Sequence, residues 1–466
     1  MASDDMVISL AGNCFFEDRM SQHTDAPFMK VVELLRSSDA SLANCEMVIH
    51  DREPFPAHVG GGRAASYLAG PPFVAEEMKW MGVNLVIAAN NHVTDFAEDG
   101  VMTTIKYLKA AGMAFAGIGH DMTSASEPGY LQTAKGRIGL VASSDWGPRG
   151  MQDLPYQMPL AMLPADGNSY FNPRPGVNLI RYDTVNIIDR NGMDELRRLS
   201  EAWGWEKSKA TRRIGGARAE AFLSQKIIGC EQDTDTQFHF MGRKFELGDK
   251  FDFRTEPWEE DLERNYKWIR EARRCSDIVI AALHDQGARR HQDEEHVKIF
   301  ARGSIDNGAD IFFANGGRQG GVEIYKGKVI LYGSSLFYFQ NESIRRNPPE
   351  LMQRYGLDPA STSSEFLETR AKAERVGGTV AGMAKDEFVG GVVQQVVYDK
   401  DRKLKEIRII PIERQSMGPA SERGRSIMVE PGTPMSKHIL DRAIARSADY
   451  GTKIIVENGI GYVRPA

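Results

Sequence analysis

The chain has 466 residues, a formal net charge of −6, 41% hydrophobic and 26% charged residues, ordinary for a soluble globular protein and too long for one simple domain. No basic stripe is present, so nucleic acid is not an expected partner. No apolar run approaches the ~20 residues that span a bilayer. The acidic start MASDDMVISLAGN lacks the basic region and long apolar core of a signal peptide, so a cytoplasmic protein without a membrane partner is expected. Cys14, Cys45, Cys230 and Cys275 lie far apart and form no C-x-x-C, so buried thiols rather than a zinc ribbon or disulfide framework are expected.

In chain order, residues 6–11 read as a strand ending at Gly12-Asn13, and 29–36 as a helix with apolar residues at helical spacing. Residues 41–49, SLANCEMVI, read as a strand carrying Asn44 and Glu46. A helix over 73–82 precedes the apolar run VNLVIAA, which stops at Asn90-Asn91-His92. Such a run bounded by polar residues reads as a buried parallel strand. Asp95, Glu98 and Asp99 suit the first turn of the next helix, over 101–112. A short strand over 114–118 and a hairpin over 132–143 follow. Strand, helix and strand in repetition is the α/β pattern.

From 146 to about 257 the pattern weakens into a Pro-, Met- and aromatic-rich stretch with helices expected over 193–205 and 217–225. It reads as an insertion covering a site. Regular α/β resumes with a helix over 260–275, a strand ending at His284, a helix over 294–307, a strand reaching Asn315 and the hairpin VEIYKGKVILYGSS. The polar segment after 341 reads as a second lid. A hairpin turning at 399–402 and a helix over 435–450 close the chain. The boundaries drawn are 1–145 and 259–345 for two halves of one catalytic domain, 146–258 for the insertion, 346–385 for the helical lid, and 386–466 for a hairpin and helix completing the sandwich.

Polar residues gather at the strand ends: Asn13; Asn44 and Glu46; Asn90, Asn91, His92 and Asp95; His284, Asp285 and Gln286; Asn315, Arg318 and Gln319. Ligands of open α/β sheets bind at the carboxyl ends of strands. Carboxylate, amide and imidazole groups together suit a divalent ion, and the same set could run acid-base chemistry alone. His120 ends a strand and could line the pocket. The remaining histidines, including His239 and the His291/His296 pair in HQDEEH, read as surface or capping residues.

The wording of these motifs resembles the CapA family of poly-gamma-glutamate capsule-synthesis proteins. The resemblance is carried by Gly12-Asn13, NCE at 44–46, AANNHVTD at 88–95, LHDQ at 283–286, ANGGR at 314–318, VEIYKGKVILYG and SSLF. It implies a calcineurin-like metallophosphoesterase-type αββα four-layer α/β sandwich with inserted lids. It also implies metal ligands at Glu46, Asn91, His92 and His284. The chain departs from the family where Asn13 replaces an Asp, Gln286 a His, and Asn315 and Arg318 two further His. An Arg opposes a nearby cation but suits an oxyanion, so a two-ion centre is not expected.

Three readings remain open. In the first, a hydrolase of an amide or ester in a small anionic or aromatic substrate uses at most one divalent ion (Mn, Zn, Fe or Mg), with Asp95 orienting His92 and Arg318 holding an anion. In the second, a lyase or hydrolase needs no metal: His92 or His284 is general base, aided by Asp95 or Asp285, and Arg318 and Arg174 are clamps. The third is a non-catalytic descendant that binds a ligand. Asn13, Arg174, Asp285 and Asn315 are the candidate substrate contacts. A small-molecule partner is expected, and a homo-oligomer is left open.

Overall fold

The computed structural model describes residues 4–57, 66–145, 163–211, 233–241, 243–285, 294–340, 344–345, 347–377, 379–380, 383–384 and 389–465. Two sheets form the body. In the first, the strands run in the order Ile455–Glu457, Ile460–Val463, Leu404–Arg414, Gly390–Tyr398, Met6–Phe15, Ala40–Cys45, Leu85–Ile87 and Ala114–Ala116. Leu336–Phe339 also pairs with Met6–Phe15, and Ser426–Met428 with Leu404–Arg414. The second runs Val322–Tyr325, Lys328–Leu331, Ile311–Asn315, Ile278–His284, Gly136–Ser144 and Gly129–Thr133.

Strand periodicity decides which residues meet between the sheets. Ile138, Leu140, Ala142, Ile278, Ile280, Ala282, Ile311 and Phe313 share one core with Ile8, Leu10, Leu42 and Val86 of the first sheet. The alternate residues Val141, Val279, Ala281, Leu283, Phe312 and Ala314 pack instead with Ile269, Ala272, Val297, Phe300 and Ile305 of helices Glu259–Cys275 and Glu295–Asp306. On the first sheet's side, helix Ala26–Arg36 has Pro in its first turn and buries Phe28, Val31, Val32 and Leu35 at helical spacing. The result is an α/β sandwich with helices outside two facing sheets, as expected.

Several elements differ from the sequence-based expectation. The first strand runs on to Phe15. The expected strand over 41–49 breaks after Cys45, where Glu46 N bonds Cys14 O at 3.0 Å, and resumes only at Val48–Ile49. The insertion holds a four-stranded sheet, Gln237–Phe240, Arg243–Leu247, Tyr182–Ile188 and Asp252–Pro257. It has a small core of Ile188, Met193, Phe238 and Phe240. Helices Pro349–Arg354 and Ser363–Gly377 dock Leu351, Met352 and Phe366 against Tyr67 and Phe96. The helix expected over 217–225, Gln286, His58 and His291 lie outside the described residues. Among the described residues no helix is long and apolar enough to cross a membrane.

Candidate active site

Register brings the polar residues together. Asn13 pairs with Asn44 across adjacent parallel strands, and His284 pairs with Asn315 on one side and Ser144 on the other. His284 and Asn315 share the strand parity of Ile280 and Phe313, which places them on the face turned to the first sheet. The third strand stops at Ile87, and Asn90, Asn91 and His92 turn over its carboxyl end. Gly12 is required beside them, because a Cβ there would stand 1.7 Å from Ser335 O.

The side chains form one buried network. Asn44, fully buried, donates from Nδ2 to Asn13 Oδ1 at 3.0 Å and lies 3.1 Å from His284 Nδ1. Asn315 Oδ1 stands 2.9 Å from the same nitrogen. Asn90 Nδ2 donates to Cys45 O at 2.7 Å and Asn44 Oδ1 at 3.3 Å, while Asn90 Oδ1 accepts from His92 N at 3.0 Å. On its other edge, His284 Nε2 faces Asn91 Oδ1 at 3.0 Å and Glu46 Oε1 at 3.8 Å. His92 Nδ1 meets Asp95 Oδ2 at 2.7 Å, and the same oxygen accepts Leu68 N at 2.9 Å. That leaves Nε2 of His92 with no protein hydrogen bond among the described residues.

Burial and charge set the protonation. Burial pushes Glu46 up to about 7, and Asp95 adds to the rise, while His92 and a hydrogen bond from Asn13 oppose it. Burial also works against charging His92, but the Asp95 carboxylate outweighs it and raises the imidazole above its ordinary value. Burial holds His284 down to about 4, so this ring is neutral.

Of the expected site residues, Asn13, Glu46, Asn91, His92, Asp95, His284 and Asn315 come together. Arg318 follows on the loop after Asn315, half-buried, its carbonyl accepting Ser335 N at 3.0 Å. Arg174 does not join them: it is exposed, and its Nε donates to Leu163 O at 2.9 Å. Asp285 does not orient His284, whose Nδ1 is taken by two amides. Its charge acts on His296 instead. His296 itself corrects the expectation of a surface residue. It is buried, stacked on Tyr182 at 3.8 Å, with Nδ1 2.9 Å from Thr255 Oγ1 and Nε2 3.1 Å from Asp145 Oδ2. His239 is buried as well, its Nδ1 3.1 Å from Asp233 Oδ1. Neither histidine stands in a strand-end motif, so only tertiary packing reveals them. His120 is exposed, beside Ser124.

Among the described residues no three His, Cys, Asp or Glu side chains come together as a metal-holding group. In the expected ligand set of Glu46, Asn91, His92 and His284, Asp95 takes Nδ1 of His92 and leaves Nε2 open, as in a carboxylate-oriented metal-binding imidazole. Glu46, Asn91 and His284 still converge. Donors about 2.1 Å from one ion at a right angle stand about 3 Å apart, the separation of Asn91 Oδ1 and His284 Nε2. Glu46 Oε2 is buried without a hydrogen-bond partner among the described residues. One carboxylate, one amide and one imidazole thus fit a single divalent ion. Asn13, Asn44 and Asn315 are engaged with one another and with His284.

The family model for "bacterial capsule synthesis protein PGA_cap" matches residues 7–341, which include every member of this network. The chain belongs to that family. Two relatives from Sinorhizobium fredii, "uncharacterized protein y4sH" and "uncharacterized protein y4uA", are each 26% identical over 452 residues, covering 94% of this chain and 88% of theirs. The PGA_cap match spans both sheets of the sandwich and stops at residue 341, before the helices Pro349–Arg354 and Ser363–Gly377.

Proposed function

We propose that this PGA_cap member is a hydrolase of an amide or ester bond in a small anionic substrate, using at most one divalent ion. The observation that carries the reading is the convergence of Glu46, Asn91 and His284 beside the His92–Asp95 pair. Those three residues would hold the ion, which when bound supplies Lewis acidity toward a substrate carbonyl. Asp95 holds the His92 ring by Nδ1, so that Nε2 can give its proton to the leaving group and be reprotonated from the water that attacks the carbonyl. The raised proton affinity of His92 suits the acid role at neutral pH. Arg318 would hold the anionic end of the substrate or the developing oxyanion.

The test is hydrolysis of a panel of acidic amides and esters, with Mn²⁺ added and after chelation. Loss of general acid-base catalysis typically costs about 10²–10⁴-fold. Turnover of any panel member should therefore fall by that order in His92→Gln. Undiminished turnover in that variant would remove His92 from the chemistry and with it the reading.

A further inference from the structure

We propose that the strand Ile455–Glu457 is a self-pairing edge, through which two copies of this chain join as an antiparallel, two-fold dimer. The strand ends the first sheet and lies beyond the residues 7–341 that the family model matches. At the sheet's opposite edge the strand Ala114–Ala116 is covered, since a Cβ on Gly129 would stand 2.2 Å from Phe115 O. Among the described residues no strand pairs with the outer side of Ile455–Glu457. Ile455 is 44% and Val456 46% exposed. An open edge with apolar side chains is a template for another strand.

Backbone and sequence select both the partner and the register. Asn458 (φ 51°) and Gly459 (φ 79°) make a two-residue type I′ turn, whose flanking pair Glu457 and Ile460 exchanges hydrogen bonds. Bonded and non-bonded pairs alternate along the hairpin. Val456, opposite Gly461, therefore turns its N–H and C=O outward, as does Ile454, whose side chain packs at the Gly461 position. A second copy running antiparallel engages both when Ile454 of one copy faces Val456 of the other. That register centres the two-fold axis on Ile455 and sets Lys453 opposite Glu457 twice. Opposite charges directly across a pair stabilise it, and like charges do the reverse. Glu457 is held on its strand face by Arg464 Nη1 and Nη2 at 2.8 and 2.9 Å, and its carboxylate keeps lone pairs for a second cation. Edges are usually blunted with charges that a copy would repel. Here KIIVE is complementary to itself, as an isologous interface requires.

Sedimentation velocity on the full chain at up to about 100 μM tests the pairing, since a dissociation constant of micromolar order shows there. Wild type should pass from monomer to dimer as concentration rises. Val456→Pro removes one outward donor and no hairpin bond, a change that edge strands tolerate, and should stay monomeric. Lys453→Glu sets like charges opposite one another twice and should weaken the dimer about two- to thirtyfold. Adding Glu457→Lys restores opposite charges and should recover most of that loss. Ile455→Cys should cross-link with oxidised glutathione, because the axis brings its two copies to about 4.5 Å between Cα atoms, within disulfide reach. Thr452→Cys, displaced from its copy by about six residues or 20 Å, should not. A wild type that is monomeric throughout, Val456→Pro dimerising like wild type, no recovery in the charge-swapped variant, or cross-linking of Thr452→Cys as readily as Ile455→Cys would each overturn the proposal.

Discussion

Asn44 is the hub on which the site depends without being a candidate ligand. It is fully buried, and truncation to Ala removes its contacts with Asn13 Oδ1, His284 Nδ1 and Asn90 Nδ2 at 3.0, 3.1 and 3.3 Å. His284 Nδ1 retains Asn315, and Asn90 Nδ2 retains Cys45 O. The loss is therefore concentrated on Asn13 Oδ1. A buried polar atom left unpaired costs about 1–3 kcal/mol, and the small cavity adds to it, so Asn44→Ala should destabilise by about 2–4 kcal/mol. Residues that orient a metal-binding imidazole typically contribute about 10–100-fold to metal affinity, and Mn²⁺ or Zn²⁺ affinity should fall by that factor. Urea unfolding followed by both tryptophan fluorescence and far-UV circular dichroism measures the first effect, with coincident midpoints required to treat it as a free energy. Calorimetric metal titration measures the second. A variant within about 0.5 kcal/mol of wild type, the range of ordinary surface substitutions, would refute the account of the network.

Two further predictions concern the scaffold. Asp261 is fully buried, accepting Arg181 Nε and Nη2 and Arg264 Nη1, each at 2.7 Å. Removing its charge leaves guanidinium groups without their carboxylate, so Asp261→Asn should cost about 3–5 kcal/mol and speed limited proteolysis within 182–257, which mass spectrometry of the fragments would show. Glu17 behaves in the opposite sense to an ion-paired carboxylate: burial lifts it to about 7 from 4.5, against the pull of Arg345. The folded protein binds this proton more tightly, so the contribution is full below pH 4.5 and is lost as pH rises through 7, by at most about 3 kcal/mol. Unfolding free energies of Glu17→Gln should accordingly match wild type at pH 4 and exceed it at pH 8. A wild-type advantage at pH 8 would contradict the assigned burial penalty.

The strand ends were legible because the relevant residues interrupt apolar runs. LVIAA stopping at Asn90-Asn91-His92, and IVIAALH stopping at His284, announce a buried parallel strand and the edge at which ligands bind. Which face each terminal residue takes came only with the structure, where strand register and the shared core put His284 and Asn315 on the side of Asn13 and Asn44. The insertion was not legible in the same way. Its strands are only half-buried, as in Arg243–Leu247, so polar residues stand between the apolar ones and the run looks like loop. Arg174 and Asp285 were assigned by proximity to motifs, and proximity in sequence does not fix where a side chain points. His296 lies in a helical stretch rich in charge, where a solvated face is the ordinary expectation. Only docking of that helix buries it.

The central proposal is that Glu46, Asn91 and His284 would hold the one divalent ion that the site can take. Metal content by mass spectrometry, on protein purified without a His-tag and compared with His284→Ala, tests it most directly. The account predicts about one equivalent of Mn, Zn, Fe or Mg in wild type, lost in folded His284→Ala. Two equivalents would contradict the assignment of Asn13, Asn44 and Asn315 to a closed amide network. No metal in a folded wild-type protein, with none taken up on addition of Mn²⁺ or Zn²⁺, would contradict the metal site itself.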